Sequence, residues 1–411
     1  MRIEANGVPR SEPTRNRYRN GKKMIEIGNA FWNETEQNGL AGIVADLRPD
    51  GRLITASGHE FVNFSCCSYL DLDSHPKIID GAIEALKRFG VLDHCISRIR
   101  LQLPALLELE ASLSSLFRAR VISAISASAA TAGILPILAS GYLTGGVRPT
   151  MVFDKNCHFS MNLYKPVCGD ESLVVTCPNN DVNFIEDLCK SHQRVAYVTD
   201  GTYSMGGHVP IKDLLALQQR YGLFLYLDDS HSLSIVGEHG EGYVRSEMDE
   251  VDPNTIIVAT LNKAFGTSGA AIMFGPDGPE VGKILERFGG PLAWSQPMNT
   301  AAIGASLASA QIHRTPELAQ RQRRLQENIE LFDRLVVTEQ AGNKFPIKLV
   351  TIDDSRVVQC GKTLYENGFY VSPVFFPIVA RDSAGLRVML RAGNTSEEIK
   401  RLCELIREFV S

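Results

Sequence analysis

Leu223-Phe224-Leu225-Tyr226-Leu227-Asp228-Asp229-Ser230-His231 is the stretch on which the fold turns. A short apolar run closed by two acids fits a strand covered on both faces. The pattern recurs on either side. Arg194–Thr199 leads into Asp200-Gly201-Thr202-Tyr203-Ser204-Met205-Gly206-Gly207. Thr255–Ala259 leads into Thr260-Leu261-Asn262-Lys263-Ala264-Phe265-Gly266. Met151–Phe153, Ser172–Thr176 and Ala270–Phe274 are further short apolar runs. Amphipathic stretches separate them; in Ile211–Tyr221, Leu214, Leu215 and Leu217 share one side. This alternation predicts βαβ units and a largely parallel sheet, an α/β fold.

Outward from this region, His75–Phe89 and Pro104–Phe117 read as helices, and 51–64 as a hairpin with glycines at its turns. Residues 297–335 read as one long helix. Strands near Lys348–Ile352 and Leu386–Leu390 and a final helix from Ser396 predict a smaller α+β C-terminal domain. The predicted division is 1–74, an N-terminal arm and small-domain segment; 75–300, the large domain; and 301–411, a linking helix and the small domain.

The chain has 411 residues, 44% hydrophobic and 22% charged, which excludes wholesale disorder. A net charge of −5 argues against a nucleic-acid binder. The longest apolar region, Thr131–Leu143, is broken by Gly133, Pro136 and Gly141 and is too short to span a membrane. The basic N-terminus, with Arg2, Arg10, Arg15, Arg17 and Arg19, reads as a solvated arm with no apolar signal segment behind it. Nine scattered cysteines without a CxxC pair suit a reducing cytoplasm. No zinc spacing or HExxH occurs, so no metal is expected.

In open parallel sheets, ligands bind beyond the carboxyl ends of the strands. There the three neighbouring runs deliver acids, an imidazole, hydroxyls and one lysine. Singly, each has a bland reading: an N-cap Asp, a structural His, a solvated Lys. Ser204 stands in Gly-x-x-Ser-x-Gly, one residue off a nucleophile elbow. Gly278–Lys283 lacks Walker A spacing, and no Gly-x-Gly-x-x-Gly opens the first βα unit. Together the set has one economical explanation, pyridoxal phosphate (PLP). That cofactor needs a lysine for a Schiff base, a carboxylate beside the pyridine nitrogen, a flat partner for the ring and N–H donors for the phosphate. Lys263 lies 35 residues after Asp228, room for one crossover.

These motifs resemble those of the α-oxoamine synthases, PLP-dependent transferases of fold type I, from about Asn33 to the C-terminus. The resemblance implies a large domain with a mostly parallel seven-stranded sheet and a smaller C-terminal domain. The family's "VDDAHG" is here Leu227–Ser232, which implies that Asp228 pairs with the pyridinium and His231 with the phenolic oxygen. "T-x-x-K-x-F-G" is Thr260–Gly266, making Lys263 the Schiff-base lysine and Thr260 a phosphate ligand. "EGVFSMDG" matches Asp200–Gly207, making Ser204 a cofactor contact. "D-x-x-x-H-A-S" matches Asp154–Ser160, so His158 is expected to stack on the ring. Arg387 is expected to hold the substrate carboxylate, and Ser295 to reach the phosphate of a neighbouring subunit's site.

Several positions depart from the family. The phosphate loop "SGFAAN" is Ser126-Ala127-Ser128-Ala129-Ala130-Thr131, where backbone donors of Ala127 and Ser128 still serve. "NYLG" is Ser68-Tyr69-Leu70-Asp71, so Ser68 replaces a substrate-contacting Asn. Phe375 stands where oxononanoate synthases carry an arginine, and predicts an apolar acyl wall. The Asp-x-Ser-His-Ser-Leu run is also similar to a signalling branch of the family. The expectation is a cytoplasmic homodimer that condenses an α-amino acid with an acyl thioester, from CoA or an acyl-carrier protein, to an α-aminoketone with loss of CO₂. Alternatives are an aminotransferase, an oxononanoate synthase, or a non-catalytic PLP-binding protein. Aminotransferases commonly carry Asp-x-x-Tyr on this strand, where this chain has His231.

Overall fold

The central apolar runs form strands because both their faces are covered. On one strand, Phe224 and Tyr226 pack into one core while Leu225 and Leu227 pack into another on the opposite face. The computed structural model describes residues 21–93, 97–275, 278–381 and 383–410. The basic arm at 1–20 lies outside the described residues. The strands are β1 (Ala45–Leu47), β2 (Leu53–Thr55), β3 (Glu60–Asn63), β4 (Arg120–Ala124), β5 (Thr150–Asp154), β6 (Val174–Cys177), β7 (Val195–Asp200), β8 (Phe224–Asp228), β9 (Thr255–Thr260), β10 (Ala270–Phe274), β11 (Ile347–Thr351), β12 (Phe369–Tyr370), β13 (Ser372–Val374) and β14 (Gly385–Met389).

The large sheet has seven strands in the order β4-β10-β9-β8-β7-β5-β6. Only β10 runs antiparallel to its neighbours, β4 and β9; the other pairs are parallel. Six strands therefore end at one edge, and the segments after β4, β5, β7, β8 and β9 all open there. This is the mostly parallel seven-stranded α/β sheet expected from the sequence.

The hairpin β2–β3 is extended by β12, which pairs parallel to β3 with Phe369 opposite Val62. The C-terminal sheet has the order β11-β14-β13. One core joins Leu40, Phe64 and Tyr69 to Phe332, Leu386 and Ile406, so the N-terminal segment completes the C-terminal unit.

The long helix expected over 297–335 is two helices, Thr300–Ile312 and Pro316–Leu335. Thr315 caps the second, accepting from Glu317 N, and Pro316 opens it. A proline there prevents a continuous helix but suits a first turn. Phe375 also departs from expectation. Its ring is fully buried, stacked on Phe31 at 5.0 Å and edge-on to Trp32 at 5.2 Å. The N-terminal helix Gly21–Gln37 covers it, so it serves as packing and lines no acyl wall.

Helices Pro76–Phe89 and Thr300–Ile312 cross at two glycines. A Cβ on Gly304 would sit 2.2 Å from Gly81 O and 2.4 Å from Ala85 Cβ. Gly304→Ala is expected to destabilise the protein by about 1–3 kcal/mol, the usual cost of overpacking. Denaturant unfolding checks this; an unchanged midpoint would show that the helices part freely. Among the described residues, no helix is long and apolar enough to cross a membrane.

Candidate active site

The end of β8 sets the site. Asp228 is 5% exposed, and its Oδ1 accepts from Ser230 N at 3.1 Å. Ser230 Oγ in turn accepts from Thr260 N at 2.9 Å, which ties the ends of β8 and β9 together. His231, on the turn after β8, is buried. Its Nε2 lies 3.1 Å from Lys263 Nζ and its Nδ1 2.8 Å from Tyr69 Oη. The Lys263 turn is held by its own backbone: Gly266 N donates to Lys263 O and Leu261 N to Gly269 O.

On the adjacent strand β7, Asp200 pairs in register with Asp228. Asp200 Oδ2 accepts from His158 N at 2.7 Å, which fixes the backbone of the segment after β5. The His158 ring is exposed, with Nδ1 2.9 Å from Ser160 Oγ. Thr260 Oγ1 lies 2.6 Å from Asn262 Oδ1. Beyond β4, Ser126 caps helix Ala127–Ala139 by accepting from Ala129 N. The N–H groups of Ala127 and Ser128 fall in the first turn, where no intrahelical partner exists.

Burial governs the electrostatics. It pushes the His231 pKa well below its ordinary value, and the charge of Lys263 adds to this. It lowers the Lys263 amine, against an opposing pull from Asp228. It lowers His158. It pushes the Asp200 carboxyl well up, helped by the charge of Asp228. The charge of Arg387 acts on His158, His231 and Lys263, lowering the pKa of each. Among the described residues, Arg387 Nε and Ser68 Oγ are buried atoms without a hydrogen-bond partner.

Lys263, His231, Asp228, His158 and Arg387 thus come together at one edge. Ser204 lies half-buried in the turn after β7, which Gly206 and Gly207 make with φ of 93° and 86°. Ser295 sits after the short helix Pro291–Trp294, its Oγ donating to Gln296 Oε1 at 3.3 Å; no hydrogen bond ties it to this edge among the described residues. Two neighbours escaped sequence reasoning. Tyr69 stands beside Ser68 in a quoted motif, yet reads as an ordinary core aromatic. Asp200 was visible as a strand-end acid, but its pairing with Asp228 required the strand order. The ion pair of Asp71 with Arg391, at 2.6 Å, was also not foreseen; it holds Asp71 at φ 51°, where the family motif has glycine.

The donor set fits PLP. A half-buried amine stands beside a buried carboxylate-bearing strand end, a helix N-terminus offers first-turn N–H groups, and a buried guanidinium nitrogen awaits an acceptor. Among the described residues, no group of three or more His, Cys, Asp or Glu could hold a metal ion.

The aminotransferase class I and II family matches residues 162–406. The 8-amino-7-oxononanoate synthase of Geobacter sulfurreducens is 29% identical over 387 residues, 90% of this chain and 94% of that protein. The serine palmitoyltransferase of Sphingomonas wittichii shares the fold, with a TM-score of 0.81, 18% identity, and coverage of 95% of this chain and 98% of that one. A structure of SPT with its PLP internal aldimine agrees equally, with a TM-score of 0.81, 18% identity, and the same coverage, 95% and 98%.

Proposed function

The chain belongs to the aminotransferase class I and II family, and from that premise we propose that it is a PLP-dependent α-oxoamine synthase. It joins the α-carbon of an amino acid to the acyl carbon of a thioester. The thiol and CO₂ leave, and an α-aminoketone results. The observation that carries this reading is the Lys263 amine, 3.1 Å from the buried His231 imidazole at the strand edge that also bears Asp228.

When bound, PLP supplies an electron sink for the charge left on the α-carbon. The chain's residues do the rest. Lys263 Nζ, its pKa lowered by burial, takes the α-proton. Asp228 holds a proton on the pyridine nitrogen, because an opposite charge favours the protonated form. His231 and His158 position the ring. Thr260, Ser204 and the first-turn N–H groups of Ala127 and Ser128 hold the phosphate, with Ser295 of a second copy completing a homodimer site. Arg387 holds the substrate carboxylate through its open Nε and a second nitrogen. Ser68 Oγ, also unpartnered, contacts the substrate. The acyl group arrives on CoA or on an acyl-carrier protein, and the product belongs to secondary metabolism or signalling in the cytoplasm.

The test supplies carboxyl-labelled amino acids singly with acyl thioesters and measures thiol and labelled CO₂. Equal release of both is expected. Amino transfer to an oxo acid without thiol release would instead mark an aminotransferase. The relatives' name favours a second reading, oxononanoate synthase. That chemistry must seat a distal carboxylate, and an unpaired buried charge is costly. Phe375 stands where those synthases carry an arginine, so that position supplies no cation. Pimeloyl thioester is therefore expected to fall below octanoyl thioester in kcat/KM. Faster pimeloyl turnover would establish the second reading.

A further inference from the structure

Tyr69 reaches the site from a segment distant in sequence. Its carbonyl accepts from Ala392 N at 2.8 Å, which fastens it to the residues just after β14. Its side chain is fully buried. The phenol oxygen lies 2.8 Å from His231 Nδ1 and 3.8 Å from Met389 Sδ. Across the imidazole, Nε2 lies 3.1 Å from Lys263 Nζ.

Proton accounting gives these contacts a direction. Burial keeps the phenol protonated and the imidazole neutral, so each carries one proton. Suppose Nδ1 held the imidazole proton. It would donate to the phenol oxygen, and the phenol's own proton would be left to the Met389 thioether or the Cys67 sulfur, both weak acceptors. A buried polar proton without a good acceptor is disfavoured. With the proton on Nε2, the phenol donates to Nδ1, and Nε2–H meets the Lys263 amine, whose nitrogen accepts when neutral. With the Lys263 amine neutral, the form its burial favours, every polar atom then has a partner.

We infer that Tyr69 is a positioning residue that fixes the proton of His231 on Nε2, where it faces Lys263 Nζ and whatever oxygen of the cofactor or substrate replaces that contact. The inference deepens the proposed function and rests on it for its catalytic meaning. Its structural content stands independently. A neutral imidazole free to choose its tautomer would offer that oxygen a lone pair part of the time; Tyr69 removes that option at no charge cost to the buried site.

The test uses holoenzyme labelled with ¹⁵N-histidine, in which two-bond ¹H–¹⁵N spectra show which ring nitrogen carries the proton. His231→Asn assigns the signal by its disappearance. Wild type is expected to show protonated Nε2 and a hydrogen-bonded, unprotonated Nδ1. In Tyr69→Phe the Nδ1–H form should appear, with kcat reduced roughly tenfold and KM for the amino acid moved less than about twofold. A wild-type proton on Nδ1 would overturn the inference without any variant. So would an unchanged tautomer and kcat in Tyr69→Phe. Failure of the proposed reaction would show separately, as absence of thiol and CO₂ release from wild type, while the tautomer remains measurable.

Discussion

Lys263→Ala is expected to lower kcat/KM by on the order of 10⁴ or more, since in the proposed reaction it removes both the covalent attachment point and the base. The loss should be chemical and not structural. The turn carrying Lys263 is fastened by backbone bonds, Gly266 N to Lys263 O, Leu261 N to Gly269 O and Thr267 N to Leu261 O, which the substitution leaves in place. Lys263 is only half-buried, so truncation leaves no large cavity. The variant should therefore unfold near the wild-type midpoint. It should also lack the borohydride-fixed, visible chromophore of wild type loaded with PLP. An unchanged chromophore, fixed by borohydride at another residue, would sink the assignment.

The large sheet was legible because its strands are buried on both faces, and such strands read as continuous apolar runs. β5 through β10 announce themselves in this way. β4 was not named, because Val121-Ile122 stands between Arg120 and Ser123 and is short. β12 could not be foreseen as a neighbour of β3, because a two-residue strand carries no periodicity and its partner lies some 300 residues away in sequence. The break between Thr300–Ile312 and Pro316–Leu335 has a sequence signal in Thr315-Pro316, a capping residue followed by a first-turn proline, which the reading of one long helix passed over.

The site divides along the same line. Residues at strand ends, such as Asp228 and Lys263, follow from the rule that open parallel sheets bind ligands there. Residues that arrive from elsewhere do not. Tyr69 comes from the N-terminal segment and Arg387 from β14, so only the resemblance could nominate Arg387 and nothing nominated Tyr69. Phe375 shows the converse. An apolar residue at a position where relatives hold a charge has two readings, wall or packing, and Phe31 and Trp32 decide for packing.

Asp228→Asn is the second variant with a large expected effect. It keeps the shape of the side chain, and its amide oxygen can still accept from Ser230 N, so the turn after β8 should survive. What it removes is charge, and with it, in the proposed reaction, the preference for a protonated pyridine nitrogen. Asp200, in register on β7, is the acid placed to compensate at that strand pairing. In wild type its carboxyl is pushed well up by burial and by the Asp228 charge. Removing Asp228 takes away the second of these causes, so the Asp200 pKa falls; the first, burial, remains and still favours its neutral form. Compensation should therefore be partial at best. PLP is expected to remain bound, while exchange of the amino acid's α-proton with D₂O slows by roughly 10²–10⁴. The double variant with Asp200→Asn should be slower still if Asp200 compensates, and equal to the single variant if it does not. Near-normal α-proton exchange in Asp228→Asn alone would refute the role given to this carboxylate.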